Sequence, residues 1–92
     1  MSHDNTPPTV ISTAITCDND PAVEIAAPRN RQSVIIRNLA GGADAYVGGS
    51  DVTTANGFPL AQGESISIDG SGAVYAVTAS GTASFRVLET AW

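Results

Sequence analysis

The sequence contains no lysine, a single histidine (His3), a single cysteine (Cys17) and few aromatic residues. One thiol cannot close an intrachain disulfide. One Cys and one His also fall short of the ligand set of an ordinary zinc site. The four cations are Arg29, Arg31, Arg37 and Arg86, set against nine acids for a net charge of −5. Nucleic-acid binding rests on clustered positive charge, so no nucleic-acid partner is expected. Long apolar runs are missing as well. The uncharged stretch from Thr6 to Cys17 is interrupted by Pro7, Pro8 and several hydroxyl side chains, unlike a membrane span or a secretory leader. The expectation is synthesis in a cytoplasm with no membrane partner. Charged residues make up 14% of the chain, against about 25% in an average protein. The surface must therefore be built from Ser, Thr, Asn, Gly and Ala.

What is present reads as strand. Ninety-two residues form one domain with one modest core. Thr9 to Cys17 is rich in β-branched residues, which suit a pleated surface. Asp18-Asn19-Asp20-Pro21 then supplies turn chemistry. Ala22 to Ala26 alternates with period two, as do Gln32 to Leu39, Glu64 to Asp69 and Ala83 to Glu89. Asp44 to Gly48 and Ala73 to Thr78 add two more short strands. Between Gly49 and Leu60 lies the longest connection, where Asn56-Gly57 favours positive φ and Pro59 argues against a central strand. Strands at this spacing, with no segment long enough for a crossover helix, predict an all-β fold. The expected architecture is a small antiparallel β-sandwich, jelly-roll-like, of about seven to eight short strands over residues 9–92. A flexible polar arm, residues 1–8, would precede it.

The implied core is Val10, Ile15, Val23, Ile25, Val34, Ile36, Val47, Leu60, Ile66, Ile68, Tyr75, Val77, Phe85 and Val87. A core this thin, mostly Val and Ile, favours stabilisation by self-association.

Chemistry is sparse. His3 sits in the arm, whereas a general base needs fixed geometry. Cys17 lies beside Asp18 and Asp20, and neighbouring carboxylates oppose the thiolate form, so a small packed residue is the favoured reading. Asp18-Asn19-Asp20 alternates oxygen ligands as calcium loops do, but it lacks their glycine and later glutamate; a solvated turn is favoured. Gly48-Gly49-Ser50-Asp51 has no following helix or lysine to make a phosphate loop. No cofactor, no metal and no enzymatic activity are expected. Arg29, Arg31 and Arg37 read either as a solvated edge that discourages aggregation or as a docking patch. Trp92 is a further anchor candidate. The candidate docking surface is Arg29, Arg31, Arg37, Asp51, Asn56, Phe58 and Trp92.

From Arg29 to Thr90 the order of phrases resembles small virion β-sandwich proteins of tailed bacteriophages, including head decoration proteins and fibre-associated modules. The phrases are Arg31-Gln32-Ser33-Val34-Ile35-Ile36-Arg37-Asn38-Leu39, Ala45-Tyr46-Val47-Gly48, Asp51 to Leu60, Gly63-Glu64-Ser65-Ile66, Val74 to Thr82 and Arg86-Val87-Leu88-Glu89. The resemblance implies a non-enzymatic capsid decoration, or cement, protein on the outer head surface. Its partner would be the major capsid protein, and its own state a homo-oligomer, with a trimer favoured. A receptor- or glycan-binding fibre module and a head-tail connector or tail-completion protein are the alternatives.

Overall fold

The structure, a computed structural model, describes residues 9–91. The expected arm (residues 1–8), His3 within it, and Trp92 lie outside the described residues. Eight strands follow one another: β1 (Thr9–Cys17), β2 (Val23–Ala26), β3 (Arg31–Asn38), β4 (Ala45–Gly48), β5 (Phe58–Leu60), β6 (Ser65–Asp69), β7 (Val74–Thr78) and β8 (Ala83–Ala91). They form two four-stranded sheets of order β1-β8-β3-β6 and β2-β7-β4-β5. All pairings are antiparallel. Every connection but β4–β5 passes from one sheet to the other. This is a jelly-roll sandwich, and no helix is present among the described residues.

The core lies where period-two alternation meets from both sheets. Val34 and Ile36 of β3 and Ala83, Phe85 and Val87 of β8 face Val47 of β4, Leu60 of β5 and Val74 and Ala76 of β7. Phe85 is the largest of the fully buried side chains. A side chain such as Phe85 or Ile36 contributes roughly 1.5–3 kcal/mol when fully buried. Pro59 falls in β5, an edge strand, where a residue without an N–H is tolerated.

Three expectations need correcting. Val10 belongs to the outer face of the first sheet and is exposed, because it lies opposite Thr90 and not over the second sheet. On β7 the inward set is Val74, Ala76 and Thr78. Tyr75 lies on the outer face, half-buried; Val77 shares that face and pairs with Tyr46, yet it is buried as expected. Gly57 does not take a positive φ. It is required for space: a Cβ there would sit 2.6 Å from Tyr46 Cβ and 2.8 Å from Thr53 O.

One end of the sandwich is closed by ions. The inward face of β8 places Glu89 where an aliphatic would be expected, with its side chain 2% exposed. A bulge in the β3–β8 ladder between Arg31 and Ser33 turns Arg31 inward, against the alternation set by Val34 and Ile36. Its Nη1 donates to Glu89 Oε1 at 3.2 Å and to Ala27 O at 2.8 Å, while Nη2 donates to Gly72 O. Arg29 Nε lies 3.1 Å from Glu89 Oε2 with its side chain 39% exposed. Removing one partner of a buried pair strands the other charge. Glu89→Ala should therefore lower stability by about 3–5 kcal/mol in denaturant titration. Arg29→Ala, at a half-exposed pair, should cost about 1 kcal/mol or less.

Candidate functional site

The outer face of the first sheet carries the most distinctive surface among the described residues. The registers β1–β8, β8–β3 and β3–β6 set side chains in rows across it. One row runs Ser12, Leu88, Ile35, Ser67, and the next runs Ala14, Arg86, Arg37, Ser65. Ile35 and Leu88, a directly opposed pair, are 43% and 42% exposed. Beside them Arg37 and Arg86 are also directly opposed. Like charges facing each other across a ladder destabilise it. Neither guanidinium reaches a carboxylate among the described residues. Arg37 Nη1 donates to Ser65 Oγ at 3.3 Å and Arg86 Nη1 to Phe85 O at 3.3 Å. A shallow groove of about 500 Å³ runs along this face, lined by Ser12, Ala14, Ile35, Arg37, Arg86 and Leu88 among others.

A second concavity, of about 480 Å³, opens between β6 of one sheet and β4, β5 and β7 of the other. It is apolar: Val47, Val74, Ile66 and Ile68 form its walls, with Phe58, 61% exposed, at the rim. Phe58 shares the inward side of β5 with Leu60, so its exposure reports a mouth that the sandwich leaves uncovered.

The structure does not gather the expected docking residues into one patch. Arg31 is buried and its guanidinium is occupied by Glu89 and two carbonyls, which removes it from the surface. Arg29 is bound to the same carboxylate. Arg37 is on the outer face of the first sheet, whereas Phe58 is at the mouth between the sheets. Asp51 and Asn56 are exposed in the β4–β5 loop. There Asn56 Oδ1 accepts from Thr53 N at 2.7 Å, and Asn56 Nδ2 donates to Asp51 O at 3.4 Å. Asn56 thus organises its own loop. Trp92 lies outside the described residues. Arg86, Ile35 and Leu88 were missed. Each alternates correctly in its own strand, but only the β3–β8 register makes them neighbours of Arg37.

Asp18 holds a turn. Its Oδ1 accepts from Thr82 Oγ1 at 2.6 Å and its carbonyl from Thr78 N at 3.0 Å. Among the described residues no three His, Cys, Asp or Glu side chains converge as a metal site. Cys17 is buried. Burial, with the Asp18 carboxylate adding to it and a hydrogen bond to the Ala83 backbone opposing, pushes the thiol from an ordinary 9.0 up to about 11.

No protein-family model matches this chain, and no curated protein sequence matches it. Among solved structures, a cupin protein from Bacteroides fragilis matches with a TM-score of 0.59. The match covers 99% of this chain and 81% of that one at 11% identity. This likeness shows an all-β sandwich of the cupin-like kind and, at that identity, the fold alone. The expected kinship with tailed-phage virion proteins is overturned: the likeness runs to a bacterial cupin, and nothing in the comparisons points to a phage protein.

The raised thiol pKa has a definite sign. The unfolded chain releases the Cys17 proton first, so stability is intact below about pH 9 and falls as pH rises towards about 11. Cys17→Ala should flatten that part of the alkaline limb in pH-dependent unfolding. The native wild-type thiol should resist iodoacetamide at pH 8 and react fully in denaturant.

Proposed function

We propose that this chain is a non-enzymatic adhesion module, cement-like in action, that docks the outer face of its β1-β8-β3-β6 sheet onto an acidic surface of a larger protein assembly. The observation that carries this reading is the Arg37–Arg86 pair. Two exposed guanidinium groups are held opposite each other, at a cost to the sheet, with no carboxylate to neutralise them. Such a pair suits carboxylates presented by a partner, since guanidinium binds them bidentately. The adjoining Ile35–Leu88 pair supplies apolar area of the kind that anchors an interface centre. A module of this kind stabilises its partner by binding the assembled form alone.

A separate observation, the apolar cleft at the β6/β5 mouth, favours a second reading: capture of a small aliphatic ligand. A rise in Tm with n-decanol that Phe58→Glu abolishes and Arg37→Ser/Arg86→Ser leaves intact would favour it.

For the first reading the test is titration of the isotopically labelled chain with poly-L-glutamate. Shifts should concentrate on Arg37, Arg86, Ile35 and Leu88, weaken with added salt, and disappear in Arg37→Ser/Arg86→Ser. Relief of the opposed charges should at the same time raise the variant's stability by about 0.2–1 kcal/mol. Shifts scattered over the molecule, or unchanged in the double variant, would count against it.

A further inference from the structure

The two sheets present four edges, and three of them are blunted against pairing with another chain. β5 is three residues long and contains Pro59. β2 is four residues long, carries Glu24 and is bulged between Glu24 and Ala26. β6 is five residues long, ends in Asp69 and is preceded by Glu64. Short length, proline, bulges and charge are the devices that keep sheet edges from templating another strand. The fourth edge has none of them. β1 runs nine residues, Thr9–Cys17, in unbroken register with β8, without a charge, a proline or a bulge. Among the described residues it pairs on one side only.

Its inward side is also incompletely covered. Facing a four-residue β2, the nine-residue β1 leaves Ile11 and Ile15 half-buried and Thr13 exposed, although all three point to the same side as buried Cys17. In a chain of net charge −5, an uncharged edge is also where two copies approach with least repulsion.

We infer that two copies of this chain pair antiparallel through their free β1 edges about a two-fold axis at Thr13, joining the two β1-β8-β3-β6 sheets into one of eight strands. The strand itself selects this register. Continuity of the pleat requires inward residues to face inward residues. With Thr13 opposite its own copy, Ile11 meets Ile15 of the second copy and Val10 meets Thr16, so the half-buried isoleucines cover one another. A shift of the centre to Ser12 or Ala14 breaks the Ile11–Ile15 match. The contact is isologous and closes at two copies, which replaces the trimer expected from the sequence with a dimer. The inference stands independently of the docking role proposed above.

The test uses the full chain in sedimentation velocity over a range of concentrations. A concentration-dependent dimer is expected. Thr13→Lys places two ammonium groups face to face at the axis and should give monomers with an unchanged circular dichroism spectrum. A cross-linking pair reports the register without relying on that variant. In a Cys17→Ser background, Thr13→Cys should oxidise to a disulfide-linked dimer, because directly opposed residues lie within disulfide reach. Val10→Cys in the same background should not, since six residues of strand, about 20 Å, would separate the two thiols. A monomer at all concentrations, a trimer, or equal cross-linking at both positions would overturn the inference.

Discussion

The guanidinium of Arg31 joins two neighbouring strands and two crossovers of the fold through one buried group. It sits on β3 in the first sheet and reaches Glu89 on neighbouring β8, the carbonyl of Ala27 before it, and that of Gly72. Ala27 and Gly72 belong to the β2–β3 and β6–β7 connections, both of which carry the chain between sheets. In a sandwich whose strands switch sheets at almost every turn, the crossovers decide whether the sheets stay aligned, and here an ion pair pins two of them. At the opposite end an amide does comparable work. Asn38 Nδ2 donates to Ala43 O at 3.0 Å and Leu60 O at 2.9 Å, linking β3 to the β3–β4 crossover and to β5. Asp18, in the β1–β2 connection, accepts from Thr82 in the β7–β8 connection and from Thr78 at the end of β7. Alignment of the sheets is thus assigned to two buried side chains, Arg31 and Asn38, and one exposed carboxylate, Asp18, while aliphatic burial supplies the bulk of the driving force.

This division of labour has a consequence for the surface. Glu89 takes up Arg29 and Arg31, half of the cations of a lysine-free chain. The two that remain, Arg37 and Arg86, are brought together on one outer face. The cluster of Arg29, Arg31 and Arg37 along the sequence therefore divides in space into a structural pair and a surface residue. The surface residue acquires a partner, Arg86, from the other end of the chain. Charge that looks like one patch in sequence serves two ends in the fold.

Alternation in β3, β6 and β8 was legible because each strand has one buried face, and Pro59 correctly marked an edge. What could not be read were changes of phase. The bulge at Gln32 reverses the facing of Arg31 and has no glycine or proline to announce it. On β7, Val74, Tyr75, Ala76 and Val77 offer two equally apolar faces, so alternation alone cannot choose between them; the neighbouring strand β4 decides. The candidate site suffered most, because adjacency of Arg37 with Arg86 and of Ile35 with Leu88 is a property of register, which a single strand does not encode. The last strand was expected to end at Glu89; its continuation to Ala91 puts Glu89 within β8 on the same inward face as Phe85 and Val87.

Antiparallel pairing at β1 leaves each copy's outer face on the same side of a continuous sheet, since register by even steps preserves facing. Two Arg37–Arg86 pairs and two Ile35–Leu88 pairs would then look towards one partner surface, related by the two-fold axis. A single shallow face with two unpaired guanidinium groups makes a modest contact. Two such faces at fixed separation convert the second contact into an intramolecular event and multiply affinity without a new interaction. The proposed docking role would gain from that arithmetic wherever a partner repeats acidic sites at a matching separation. Selectivity for the assembled partner would follow from edge geometry, through the uncharged, unblunted strand β1, and not from any specialised chemistry on the face itself.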